Sequence, residues 1–228
     1  MRGNQFVPTT VRPSRWRCAT PFPKLLMNST GVPKPTVPSI STCESQSGNV
    51  SILVVMGVSG SGKTTVAEEF ARVNGWIFAD ADSFHPQENI GKMTAGIPLS
   101  DADRLPWLAN IRHFLAESAQ EGHRVVLACS ALKEFYRAAM VPDRKLVRWV
   151  FLNGDFAVIL ERLCKRQGHF MNPSLLRSQF ELLEIPVDAI QCDVRRPVLE
   201  LVAQIQKELD SSERAPGEAL PEPQNLRS

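Results

Sequence analysis

From residue 51 to about residue 209, short unbroken apolar runs alternate with longer stretches in which apolar positions recur every three or four residues. The unbroken runs are SILVVM (Ser51–Met56), WIFAD (Trp76–Asp80), VVLACS (Val125–Ser130), VRWVFL (Val147–Leu152) and AIQCDV (Ala189–Val194). Apolar runs of this length without polar alternation suit strands covered on both faces. Between them the spacing predicts helices over Lys63–Val73, Pro106–Gln120, Asp155–Arg166, Pro173–Leu183 and Pro197–Leu209, with a further helix opening just after Ser130. Trp107, Leu108, Ile111, Phe114 and Leu115 fall on one face of the second of these; Asp155 caps the third, and proline begins the last. The Pro- and Gly-containing stretch up to Asp103 reads as polar connection. Strand–helix alternation predicts an α/β fold: a five-stranded parallel sheet wrapped by helices, with ligands at the carboxyl edge of the strands.

The pattern stops at both ends. Residues 1–48 hold Pro8, Pro13, Pro21, Pro23, Pro33, Pro35 and Pro38 among Ser and Thr, without periodic apolar spacing, and are expected to be disordered. Rich in Arg, Ser and Thr and nearly free of acids, this segment has the composition of a transit peptide, although its prolines oppose the amphipathic helix such a peptide forms. The other reading is an extension upstream of a start at Met27. The expected organisation is thus an extension (1–48), a catalytic domain (49–210) and a second Pro-rich disordered tail (211–228). Charge follows the same division: six cations stand before Gly48 against the single acid Glu44, leaving about −3 on the remainder of a chain whose total is +2. That balance argues against a broad nucleic-acid surface. No apolar run approaches the roughly 18 residues of a membrane span. The five cysteines (Cys18, Cys43, Cys129, Cys164, Cys192) form no CxxC pair, which reads as reduced thiols in the cytoplasm, or in an organelle if the extension is a targeting segment.

Candidate chemistry begins directly after the first strand. GVSGSGKT (Gly57, Val58, Ser59, Gly60, Ser61, Gly62, Lys63, Thr64) is the phosphate-loop pattern in the strand-to-helix setting it requires. Its glycines allow a tight turn that aims backbone N–H groups at phosphate oxygens, Lys63 adds a charge at the β/γ-phosphates, and Thr64 offers a hydroxyl to Mg²⁺. A nucleoside triphosphate is the expected ligand. The strands VVLACS and VRWVFL do not end in the second magnesium-binding Asp of switch GTPases and many ATPases; the acids stand instead at Asp80 and Asp82. On extended chain, residues i and i+2 point to the same side, so one carboxylate is expected to serve the metal and the other an attacking hydroxyl. The competing reading makes them turn or cap aspartates before a helix begun by Pro86.

The run DADSFHPQENIGKMTAGIPLSDADRLPWL (Asp80–Leu108), then CSALKEFYR (Cys129–Arg137), RLCKRQGHFM (Arg162–Met171) and LLRSQFELLE (Leu175–Glu184), resembles the gluconokinases, small phosphate-loop kinases, over roughly Val54–Leu209. The resemblance implies transfer of the ATP γ-phosphate to the 6-hydroxyl of D-gluconate, a phosphate-loop-kinase fold with a short lid, and a homodimer. It implies Asp82 as base, Asp80 with Thr64 on the magnesium side, and Arg162 and Arg166, at i and i+4 before a lid turn at Gly168-His169-Phe170, as cations that neutralise charge on the transferred phosphoryl group. A polyol acid needs cations for its carboxylate and polar groups for its hydroxyls. Arg104 and Arg137 are expected to grip the carboxylate bidentately, with His85 beside them and with Lys133 four residues before Arg137 on the same face of the helix opening after Ser130. Asp101, Asp103 and Arg104 also fit the start of a helix, and Trp107 reads as core. Arg195-Arg196 fall where an adenine is expected. Gln179 and Glu184 match the family pattern without a chemical role. A shikimate kinase would leave the HP, DRLPWL and CSALK stretches unexplained, and a non-catalytic nucleotide-binding module would not need both aspartates.

Overall fold

The computed structural model describes residues 50–165 and 173–213. Arg166, the lid turn and both expected terminal tails, apart from Ser211–Glu213, lie outside them. Five strands, β1 (Ile52–Met56), β2 (Ile77–Asp80), β3 (Val125–Ala128), β4 (Val147–Asn153) and β5 (Ile190–Asp193), form one parallel sheet in the order β2-β3-β1-β4-β5. The helices are α1 (Lys63–Asn74), α2 (Gln87–Thr94), α3 (Asp101–Gln120), α4 (Glu134–Met140), α5 (Phe156–Lys165), α6 (Pro173–Leu182) and α7 (Val198–Glu213).

All five residues of β1 are buried because neighbours flank it and helices cover both faces. Alternate side chains therefore enter two cores. Leu53, Val55, Val126, Val150 and Leu152 pack against Phe70 of α1, Ile159 of α5 and Ile205 of α7. Ile52, Val54, Met56, Leu127, Trp149 and Phe151 pack against Ile111 and Leu115 of α3 and Met140 of α4. Among the described residues no helix is long and apolar enough to cross a membrane.

Three departures from the sequence expectation bear on the site. The stretch read as connection contains α2, with Pro86 as its N-cap. Helix α3 begins at Asp101, not Pro106: Ser100 and Asp103 form a capping box that starts the helix early, and Pro106 sits inside it. Helix α7 runs to Glu213, past the expected end of the domain at residue 210.

Candidate active site

The carboxyl ends of β1, β2 and β3 bring three loops together. After β1, Gly57, Gly60 and Gly62 take positive φ values of 146°, 83° and 98°, and Gly62 caps α1 in the left-handed region. A side chain at Gly60 would strike Leu163 of α5, its β-carbon 2.7 Å from Cγ, so α5 seats directly on the loop. The Ser61 hydroxyl is buried without a hydrogen-bond partner, an orphan polar group that suits an anion cradle. Lys63 Nζ donates to the Val58 carbonyl at 3.1 Å, folding its ammonium over the loop.

Asp80 ends β2 and faces α1, its Oδ2 3.4 Å from Thr64 Oγ1. A hydroxyl and a carboxylate brought together beside the phosphate loop are the oxygen ligands by which Mg²⁺ is held next to a nucleotide. No cluster of three or more His, Cys, Asp or Glu suited to a metal occurs among the described residues, so the fit is to a cation shared with phosphates, not to an all-protein cage. Asp82 does not lie on extended chain as expected. Ala81–Phe84 form a 3-10 turn, capped by Asp80 Oδ1, which accepts from the Asp82 N–H at 3.0 Å. The i, i+2 argument fails there, yet the turn still carries Asp82 into the same neighbourhood. Asp82 reaches solvent, but the protein around it and the Asp80 charge raise its pKa, offset by His85 and Lys63.

Burial, reinforced by Arg104 and opposed by Asp82, holds the His85 pKa below its ordinary value. Its ring stacks on Trp107, centroids 4.6 Å apart and planes within 11°, and Nδ1 lies 3.2 Å from Asn89 Nδ2. Trp107 is core, as expected, and donates from Nε1 to the Ala81 carbonyl at 2.7 Å, tying α3 to the Asp82 turn. Asn89, 3 % exposed, also donates to the Asp103 carbonyl. Asp103 is occupied structurally: it closes the capping box and meets Lys92 at 2.6 Å, and these bonds hold its carboxyl far below the usual range.

Arg104 and Lys133 converge. Arg104 donates to the Leu99 carbonyl at 2.7 Å, and its guanidinium lies 5.5 Å from the Tyr136 ring centre. Lys133 Nζ lies 5.3 Å from the same centre and 3.1 Å from Asp101 Oδ2. Asp101 accepts from Tyr136 Oη at 2.6 Å and pairs with Arg104 at 3.5 Å. The Tyr136 and Lys133 bonds lower its pKa, and Asp101 raises that of Lys133. Two cations share one carboxylate, leaving a local positive excess.

Arg137 does not join them. Helix α4 starts at Glu134, so Lys133 is its N-cap residue and the i, i+4 facing expected of the pair is lost. The Arg137 side chain turns inward, 3 % exposed, donating to Glu134 at 3.0 Å and to the carbonyls of Ala131 and Leu132 at 2.9 and 3.3 Å. Ala131 has a φ of 43°, left-handed for a residue with a β-carbon. Arg137 thus holds the loop after β3 from behind.

Arg162 donates to the Val194 carbonyl and, with Arg196, Gly60, Thr65 and Val198, lines a cavity of about 220 Å³ beside the phosphate loop. It faces the β5 loop, away from Asp82's side of the sheet edge. Burial pushes the Cys129 thiol up to about 12, which makes it inert at the end of β3. Two residues to which sequence reasoning gave no role are prominent here: Tyr136, the chain's single tyrosine, under both cations, and Gln179, whose side chain meets Ser59 twice.

The described site has counterparts among known proteins. The shikimate kinase family model matches residues 59–212. A gluconokinase of Gluconobacter oxydans is 48% identical over 136 residues, 60% of this chain and 76% of that protein. A probable gluconokinase of Mus musculus is 43% identical over 178 residues, 69% of this chain and 97% of that protein. The crystal structure of a gluconokinase from Sinorhizobium meliloti 1021 superposes with a TM-score of 0.63 at 44% identity, covering 72% of this chain and 93% of that one.

Proposed function

Because this chain belongs to the shikimate kinase family, among its gluconokinases, we propose that it transfers the γ-phosphate of ATP to the 6-hydroxyl of D-gluconate, giving 6-phospho-D-gluconate and ADP. The observation that carries the acceptor reading is the Arg104–Lys133 pair over Tyr136. Among the described residues only Asp101 pairs with both of those cations, so a second carboxylate, that of gluconate, completes the balance. His85 feels both Arg104 and Asp82 electrostatically, which suits a place between the two ends of the acceptor site. A polyol acid bound by its carboxylate at one end presents its far hydroxyl at the other.

In this reading His85 meets an intermediate hydroxyl, its ring held by the buried Asn89 and its pKa kept below the ordinary value by burial. Asp82 accepts the proton of the attacking hydroxyl, and Lys63 and the loop N–H groups hold the transferred phosphoryl group. Thr64 and Asp80 would hold Mg²⁺, which when bound neutralises charge on the β- and γ-phosphates. Arg162 and Arg196 serve the base and sugar side of ATP, supported by the cavity they share with Gly60. Arg166 retains its role at the transferred phosphoryl group, supported by the family pattern around it.

The test is an acceptor panel. Purified protein with MgATP is expected to release ADP when D-gluconate is added, and equal turnover with shikimate, or none with any sugar acid, would overturn the assignment. The site itself is tested by Arg104→Ala. Removing one of two cations that bind the carboxylate in ground and transition states alike raises KM for gluconate about tenfold, with kcat little changed. An unchanged KM would remove Arg104 from the acceptor site and leave it as a partner of Leu99 and Asp101 alone.

A further inference from the structure

Gln179 and Glu184 have no part in the chemistry just described, and we propose that together they brace the donor loop against the acceptor loop, acting as positioning residues for phosphoryl transfer; this rests on the kinase reading above.

The sheet holds the two loops together only at their roots. Strands β1 and β3 are neighbours, registered through Val55 and Ala128, and the Cys129 N–H donates to the Val55 carbonyl at 3.1 Å. Beyond that bond both chains leave the ladder, one as the phosphate loop and the other as Ser130–Lys133. In-line transfer requires the two loops to keep a fixed separation, because an error of about 1 Å between reacting groups can cost about 10²-fold in rate.

One short segment touches both. Gln179 Oε1 accepts from the Ser59 N–H at 2.7 Å, and its Nε2 donates to Ser59 Oγ at 3.0 Å. Both faces of the carboxamide are therefore committed to one residue, the one immediately before Gly60 with its φ of 83°. Two residues past the end of α6, the Glu184 N–H donates to the Leu132 carbonyl at 2.8 Å, and Glu184 Oε2 accepts from the Glu134 N–H at 2.5 Å. Five residues of mostly helical chain span about 7 Å, enough to bridge loops that spring from strands about 4.8 Å apart.

The segment is also stiff. Leu176 is fully buried, the Phe180 ring meets Phe156 edge-on at 5.6 Å, and Leu183 packs against both cores. A crosspiece held at its middle and bonded twice at each end transmits position. Ordinary surface hydrogen bonds would anchor α6 and do no more.

The full chain tests this with Gln179→Met, which keeps the apolar stem and deletes both bonds to Ser59, and with Glu184→Ala, which deletes one arm at the other end. With MgATP and gluconate, each is expected to lower kcat about tenfold while KM for both substrates stays within about threefold, and to raise the ratio of ADP to phosphorylated product. A second readout needs no acceptor: in the wild type a non-hydrolysable ATP analogue slows amide exchange in residues 130–134, and in either variant it still binds but no longer slows it. A lowered thermal midpoint with kcat and exchange coupling intact would reduce both residues to fold anchors and overturn the proposal, as would absence of the coupling in the wild type. Failure of gluconate as acceptor would show as no ADP release by the wild type, and the exchange measurement would still decide the brace. Should one variant not fold, the other gives the same two readings.

Discussion

Arg137→Ala is expected to destabilise the protein by about 3 kcal/mol, read as a shift in the denaturant midpoint without a change in slope. Arg137 is 3 % exposed, and its guanidinium bonds the Glu134 carboxylate, the Ala131 carbonyl and the Leu132 carbonyl at once. Truncation strands the Ala131 carbonyl in the interior, at about 1 kcal/mol or more, while the Leu132 carbonyl keeps its bond from the Glu184 N–H. It also releases Ala131, whose φ of 43° persists only while its surroundings hold it. The ion pair adds less than a fully buried one, because Glu134 is half exposed and keeps Arg144 at 2.5 Å. Arg137→Lys restores charge without the fork and should recover only part of the loss. Activity falls in Arg137→Ala as well, since the loop it supports carries Lys133. A variant that stays within 1 kcal/mol of wild type while its KM for gluconate rises tenfold would return Arg137 to the substrate carboxylate, where the sequence had suggested it.

That arginine shows where sequence reasoning runs out. Strand runs, helix periods and the phosphate loop were legible because each is local: continuous burial, a 3.6-residue repeat and a fixed eight-residue geometry leave their marks on neighbouring positions. Lys133 and Arg137 looked equivalent because helical spacing puts i and i+4 on one face. The helix starting at Glu134 removed Lys133 from it, a shift of a few residues such as capping decides and periodicity does not. Asp80 and Asp82 met the same limit: the i, i+2 rule holds on a strand, and β2 ends at Asp80. Helix α2 entered only through the competing reading, as a helix begun by Pro86, because Gly91 and Pro98 break up an eight-residue helix and its surroundings, too short for a clear period. Ser100 and Asp103 did carry a readable signal, a capping box one turn ahead of Pro106, which the proline outweighed. Gln179 was out of reach in kind, since its partner lies 120 residues away.

Asp82→Asn is expected to reduce kcat by about 10²-fold or more while ATP affinity stays within a few-fold, measured by steady-state turnover with gluconate and by nucleotide titration. The amide nearly matches the carboxylate in size, so the Ala81–Phe84 turn, capped by Asp80 and not by Asp82, is preserved. What is lost is the capacity to take a proton. The Asp82 surroundings suit a general base, since partial burial and the nearby Asp80 charge raise its pKa, making the ionised form a stronger base than a free carboxylate, while Lys63 and His85 limit the rise. Asp80→Asn provides the contrast. Its carboxylate faces Thr64, so that change should raise the Mg²⁺ concentration needed for half-maximal rate, which the Asp82 variant leaves nearly unchanged. The two aspartates, two residues apart, would then separate by which ligand each variant weakens. Near-normal kcat in Asp82→Asn would make Asp82 a turn residue and leave the acceptor hydroxyl to be oriented by His85 and the phosphate loop alone.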